Sequence, residues 1–431
     1  MKIRMIAILL LVLVGFGALF YVGVSDTQTV SDYNAYLKKA RQKADENIPY
    51  VAIQNYMAAM EINDSDMAVY LEYLKVLKDF EGGNYGSSLR KFINKFPQSS
   101  VGYELLCEEY LEYERYSSVI DTYKKALDSN VQSEKLEEIY NQVAYKYKYL
   151  KRGFETAGSF RGGIALIKVK GKYGYYSNEG GYLIEPTYDD AGVFFEGRAP
   201  VKFNDKYMFI NTSGYKVAVP NADIDSMGIA REGKIAISIK GKYGYMDTSL
   251  IVPDKLNWDY ASTYSQGIAA VCSKGKWGLI DINENPITDL IYDDIKINEC
   301  NMCITQNIVF AKKTNKYIML DVSGKQIGSE EFDDVFMFCS AQPTAFKKGE
   351  KWGFVRTDGT IAIEPRYIQA KSYCISLAPA FDGAKWGYVT SKGEWAIEPT
   401  FDDCNSFTDN GVAAVKEGDQ WGYIQLYTYI Q

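Results

Sequence analysis

The hydrophobic pattern along this chain changes character twice, and each change predicts a different kind of element. Met5 to Val24 is an unbroken apolar run preceded by Lys2 and Arg4. Twenty residues at about 1.5 Å rise cover about 30 Å, the thickness of a bilayer core. The run exceeds the roughly 7–15 apolar residues of a cleaved signal, and Gly23-Val24-Ser25-Asp26 is a poor cleavage site. An uncleaved signal anchor is predicted, with residues 1–25 forming a cytoplasmic tip and a transmembrane helix. Lys2 and Arg4 place the amino terminus inside, leaving the bulk of the chain extracytoplasmic on a single-pass membrane protein. Lys38, Lys39, Arg41 and Lys43 pull against that orientation.

From Tyr33 to about Leu150 the apolar positions take a helical period, with Ala52, Tyr56, Ala59, Met60 and Asn63 on one face. Beyond Phe154 the helical period gives way to short apolar runs opened by glycine, such as Gly163 to Lys168, Gly267 to Val271 and Gly411 to Lys416. These read as strands. The chain therefore predicts an α+β multidomain protein, with a helical domain over 30–150 and an all-β domain over 154–431.

The β region repeats one phrase eight times. It is a basic or polar residue, an aromatic, usually glycine, then another large residue. The aromatics are Tyr173, Tyr207, Tyr243, Trp277, Tyr317, Trp352, Trp386 and Trp421, at spacings of 34, 36, 34, 40, 35, 34 and 35. Six are followed by glycine, at Gly174, Gly244, Gly278, Gly353, Gly387 and Gly422; Tyr207 and Tyr317 are not. A turn glycine often follows seven residues later, and then a strand ending in Ile-Glu-Pro at Pro186, Pro365 and Pro399. Fifteen residues after the aromatic another recurs, and in four units a pair of acids follows it: Asp189-Asp190, Asp293-Asp294, Asp333-Asp334 and Asp402-Asp403. A fixed period of this size means one supersecondary unit stacked on copies of itself. Glycine admits a close backbone or ring, the aromatic fills space between units, and proline ends its strand. The acids, recurring at equivalent places, read as solvated turn or edge residues.

This pattern resembles the bacterial WG-repeat family, whose units carry lysine, tryptophan and glycine, then Ile-x-Pro and Tyr-Asp. The resemblance implies no catalytic residue. It implies an extracytoplasmic or interaction protein. The helical segment resembles the tetratricopeptide repeat. Its helix ends at Asp64, Pro97 and Val131 align at offsets of 33 and 34 residues, although the Trp and Leu-Gly signature of the first helix is missing. About three helix pairs and a final helix near Glu134 to Tyr149 are expected; a plain helical bundle is the alternative.

The ends of the β region bear on its closure. Phe154 to Gly163 aligns with Tyr188 to Gly197, so the array starts in mid-unit, and its last unit stops after Trp421 without an Ile-Glu-Pro. Such an offset lets the first and last units share a blade. A β-propeller-like toroid of about eight units is favoured; the alternative is an open β-solenoid of hairpins.

Composition then narrows the chemistry. Histidine is absent from all 431 residues, which removes Ser-His-Asp and Cys-His catalysis and His-ligated zinc. The net charge of -7 carries no basic stripe, arguing against nucleic acid. Among seven cysteines only Cys300 and Cys303 have a motif-like spacing, without a second pair to complete a metal site. The seven do not suggest a disulfide framework. No catalytic residue, cofactor or metal is expected. The expected function is a membrane-anchored extracytoplasmic scaffold that binds protein partners through both repeat regions. A cell-wall or polysaccharide binder is the alternative, and an envelope hydrolase a remote one.

Overall fold

The computed structural model describes residues 29–80, 84–339 and 343–430, which divide between Ala144 and Tyr145 into two compact units. The membrane anchor expected over residues 1–25 lies outside the described residues. Among those described, no helix is long and apolar enough to cross a membrane. The described residues thus contain no membrane-crossing helix, which corrects the transmembrane element of the expected fold class and leaves the single-pass membrane localisation without a spanning helix among them.

The first unit contains seven helices among the described residues. They are α1 (29–45), α2 (Pro49–Ile62), α3 (Met67–Lys78), α4 (Tyr85–Lys95), α5 (Ser100–Glu112), α6 (Tyr116–Asp128) and α7 (Glu134–Val143). Pro49 opens α2 where its missing N–H costs nothing. Asp66 caps α3, its carboxylate accepting from the Ala68 N–H at 3.1 Å, and Ser133 caps α7 through Leu136 N–H at 3.1 Å. Ion pairs tie helices two apart: Arg41 to Glu72 between α1 and α3, and Lys135 to Glu108 between α7 and α5, each at 2.6 Å.

The final helix is shorter than the period suggested. Tyr147–Phe154 is not helical but a strand, and it belongs to the second unit.

That unit is an eight-bladed β-propeller of eight separate antiparallel sheets. Blade 1 shows the plan: a two-residue first strand (Thr156–Ala157), a hairpin of second and third strands (Ile164–Val169, Lys172–Ser177) and a fourth strand (Gly181–Tyr188). One residue later the chain starts the first strand of blade 2 (Asp190–Ala191). The hairpin turns Lys170–Gly171, Lys240–Gly241 and Lys274–Gly275 hold both residues at positive φ, the geometry that matches the twist of paired strands. Blades 3 and 4 have three regular strands, and single bridges from Trp258 to Tyr243 and from Tyr292 to Trp277 replace the fourth. The cores lie between blades. The cluster of Trp352, Phe354 and Tyr367 of blade 6 with Tyr373, Ala378 and Val389 of blade 7 is one of them.

Blade 8 closes the ring. Its first three strands are Asp403–Cys404, Val412–Glu417 and Gln420–Leu426, and its fourth is Tyr147–Phe154, from the start of the unit. The array thus starts seven residues before the Phe154 at which the repeat phrase becomes recognisable. The closed toroid stands, and the open solenoid does not.

Candidate functional site

The expected repeat-defining residues all lie on the third strands. Trp352 and Trp386 are buried; Tyr173, Tyr243, Trp277 and Trp421 are half-buried. Packing between units therefore accounts fully for two tryptophans and in part for the other two. The glycine beside each aromatic has a specific reason. A Cβ on Gly353 would lie 2.5 Å from the Ile363 carbonyl oxygen and 2.8 Å from Pro365 N. Gly387 meets Ile397 and Pro399 at the same distances, and Gly174 meets Pro186 N at 2.7 Å. Aromatic-glycine and Ile-Glu-Pro are thus two sides of one contact, where the fourth strand bulges against the third. Gly244, Gly278 and Gly422 are crowded instead by Leu256, Asp289 and Lys151.

The first acid of each pair, like the lone Asp259 at the same place in its unit, is not merely a solvated turn residue. The repeat lysine reaches an aspartate seventeen positions on: Lys242 to Asp259 at 2.5 Å, Lys276 to Asp293 at 2.6 Å, Lys385 to Asp402 at 2.5 Å, and likewise Lys172 to Asp189 and Lys316 to Asp333. In three of these the other carboxylate oxygen accepts from the hairpin of the next blade: Asp259 from Lys274 N–H at 2.6 Å, Asp333 from Gly349 N–H and Asp402 from Gly418 N–H, both at 2.7 Å. One side chain staples two blades. The lysine hydrogen bond holds the carboxyls of Asp189, Asp259, Asp293, Asp333 and Asp402 below the usual carboxylate range.

A second link uses the last residue of the repeat phrase. The buried Tyr175, Tyr245 and Tyr388 donate to the backbone carbonyls of Gly192, Ser262 and Asn405 in the next blade, at 2.7–2.8 Å. Tyr423 does the same to Gly158 at 2.9 Å, across the ring junction. Burial raises all four phenol pKa values well above the ordinary value.

One blade departs from the others, and its departure makes the candidate site. The 40-residue spacing between Trp277 and Tyr317 inserts a loop over 297–303 in blade 5. It reaches towards four other blades. Glu299 pairs with Arg161 of blade 1 at 2.6 Å, and Met302 and Cys300 pack with Val193, Phe195 and Ile229 of blades 2 and 3. The Asn301 carbonyl accepts from Thr263 N–H of blade 4 at 2.7 Å. The loop fills the part of the ring's centre facing blades 2, 3 and 4.

What remains is an off-centre cavity of about 880 Å³, lined by stretches of blades 1, 5, 6, 7 and 8. Its three cations each have an acid partner: Arg161 with Glu299, Lys296 with Asp334 at 2.7 Å, and Lys371 with Asp403 at 2.8 Å. Its apolar wall includes Ile297, Met337 and Phe336, a residue that is 39% exposed.

The wall also carries a disulfide between Cys339 and Cys374, with Cα atoms 5.0 Å apart. The signal for it was available: a separation of 35 is one repeat, so equivalent positions of blades 6 and 7 meet. Cys300 and Cys303 are free and buried, and burial pushes their thiols up to about 11 and about 12. They are apolar filling rather than a reactive pair.

Comparison with known proteins agrees with this geometry. The model of the WG containing repeat matches residues 151–173, 173–207, 255–277, 277–317, 352–373 and 386–421, so WG repeats run from 151 to 421 and support a WG-repeat protein. No curated protein matches the chain. Among solved structures, the Neurospora crassa Pan2 WD40 domain is similar at 10% identity and a TM-score of 0.35, covering 67% of this chain and 98% of that one. Kluyvelomyces marxianus Hsv2 matches at 9% identity and a TM-score of 0.33, covering 63% and 89%. The dihydro-heme d1 dehydrogenase NirN matches at 9% identity and a TM-score of 0.42, covering 71% and 82%.

Proposed function

We propose that the protein is a non-enzymatic interaction scaffold that binds protein partners, with its WG-repeat propeller as one binding body and its helical unit, read as tetratricopeptide-like, as another. The observation that carries this reading is the use made of the repeated carboxylates. The aspartate seventeen positions after the repeat lysine, the residue that invites a catalytic reading, is in five blades the partner of that lysine and holds neighbouring blades together. A glycosidase needs instead two carboxyls facing each other across a substrate, one with a raised pKa. The departing blade adds a loop that shapes a cavity, a device that suits recognition.

The polysaccharide reading draws less support. Stacking on sugars in every blade would need the repeat aromatics to be exposed, and none of the eight is, although single aromatics such as Tyr215 and Phe336 are.

The test is reconstitution. A partner recovered by crosslinking to the full chain, purified and remixed, should form a complex of fixed stoichiometry in size-exclusion chromatography with light scattering. Turnover of peptide, ester or glycoside substrates that disappears when one Asp or Glu is changed to its amide would overturn the proposal.

A further inference from the structure

The central cavity has a chemistry of its own, which narrows what it can hold. Resting on the scaffold reading, we propose that it is a docking site for an uncharged peptide segment of a partner protein, with a bulky apolar side chain at its centre.

The volume comes first. About 880 Å³ lies within the range of sites that enclose most of a bound group rather than touch one side of it. Charge selects next. Arg161, Lys296 and Lys371 are each held by a carboxylate at 2.6–2.8 Å. These pairs are partly solvated, so a charged ligand would compete with a partner already in place and gain little from it. A neutral segment leaves all three intact.

Beside the polar side chains of blades 7 and 8, Ser372, Asn405, Ser406 and Asp409 among them, the lining offers two surfaces of different kind. On the side of blades 5 and 6, Ile297, Met337 and Phe336 offer an apolar surface, with the Phe336 ring braced 5.4 Å from the Trp352 ring. On the side of blade 1 stand Ser159 and the exposed Asn178. An asparagine amide presents a donor and an acceptor together, the complement of a peptide unit. An apolar wall facing an amide reader suits a segment that turns a side chain one way and its backbone the other.

The insertion explains why this site occurs once in a ring of eight similar blades. The 297–303 loop closes the centre towards blades 2, 3 and 4 and contributes Ile297 to the wall. Without it the cavity would open into a wider channel.

The experiment is selection of a displayed library of random dodecapeptides on the full chain, followed by titration of the enriched peptides against variants. Enriched peptides should carry no net charge and share an aromatic or large aliphatic residue. Phe336→Ser and Asn178→Ala should each weaken their binding at least tenfold while the melting temperature, read by circular dichroism, stays within a few degrees. Enrichment of acidic or basic peptides, or binding unchanged in both variants, would overturn the cavity assignment. Peptides that bind but ignore the cavity variants leave the scaffold reading intact and sink only this inference. A library that yields no binder at all counts against both.

Discussion

At the scale of single residues the clearest constraint is the missing Cβ beside the repeat aromatic. Gly353 has ordinary negative φ, so its need for glycine is contact and not backbone conformation. Gly353→Ala pushes a methyl into the backbone of Ile363 and Pro365, which a side-chain rotation cannot relieve. The expected loss is about 1–3 kcal/mol in denaturant unfolding. Ile318 holds the equivalent place in blade 5, where the opposing strand Gln326–Phe332 has no Ile-Glu-Pro, so Ile318→Gly should gain nothing. The junction tyrosines give a second residue-level expectation. Tyr423→Phe removes a buried hydrogen bond to Gly158 and should cost about 1 kcal/mol. Folding raises the pKa of Tyr175, Tyr245, Tyr388 and Tyr423, so the native state keeps protons that the unfolded chain releases. Their contribution is complete below about pH 10 and declines as pH rises beyond it. Thermal melts from pH 8 to 11 should show that decline, and replacing all four by Phe should flatten it.

At the scale of elements, blades are joined by ion pairs whose sign of pH dependence is opposite. Asp259, Asp333 and Asp402 have depressed folded pKa values, so their stabilisation is present above the unfolded value near 4 and is lost as pH falls through the folded one. Melting temperature should drop below about pH 4, and in Asp402→Asn the part due to that staple should be missing at neutral pH. High salt should weaken these exposed pairs further. Elements were legible where each unit restates its own contacts. Aromatic-glycine and Ile-Glu-Pro recur together because one bulge requires both, and a period of about 35 follows from one blade per unit. The partnership of lysine and acid was not legible, because seventeen residues separate them and no local rule links a strand to the turn after next. The start of the strand Tyr147–Phe154, up to Tyr149, was misread as the end of the last helix for a related reason. That strand lacks the Ile-Glu-Pro phrase of the fourth strands of blades 1, 6 and 7, and it starts four residues after α7 ends. Its register is set by partners at the other end of the unit, from Leu426 to Trp421.

At the scale of the molecule, closure and the central cavity were legible to different degrees. The offset between Phe154 and Trp421 foretold a shared blade, because a ring of repeats must spend one unit's strands at both ends. The cavity was not foretold. The 40-residue spacing of blade 5 marks an insertion, but only the fold shows that its loop turns inward to meet Arg161, Phe195 and Thr263. Closure itself makes a sharp prediction, since the strand that completes blade 8 is the first of the unit. Gly422 lacks a Cβ where the Lys151 carbonyl oxygen would lie 2.6 Å from it, the counterpart of the Gly353 contact inside blade 6. Tyr423 donates to Gly158 as Tyr388 does to Asn405. The junction is therefore built like the others and differs only in joining chain ends. A chain beginning at Tyr145 should keep one cooperative unfolding transition for the propeller. A chain beginning at Glu155 removes the fourth strand of blade 8, uncovers Trp421 and Tyr423, and leaves the third strand as a bare edge. It should unfold at lower temperature with a broadened transition, and hydrogen exchange should show protection lost first over 412–426 and 156–177. Equal protection and equal melting in the two truncations would mean that the ring does not depend on its shared blade.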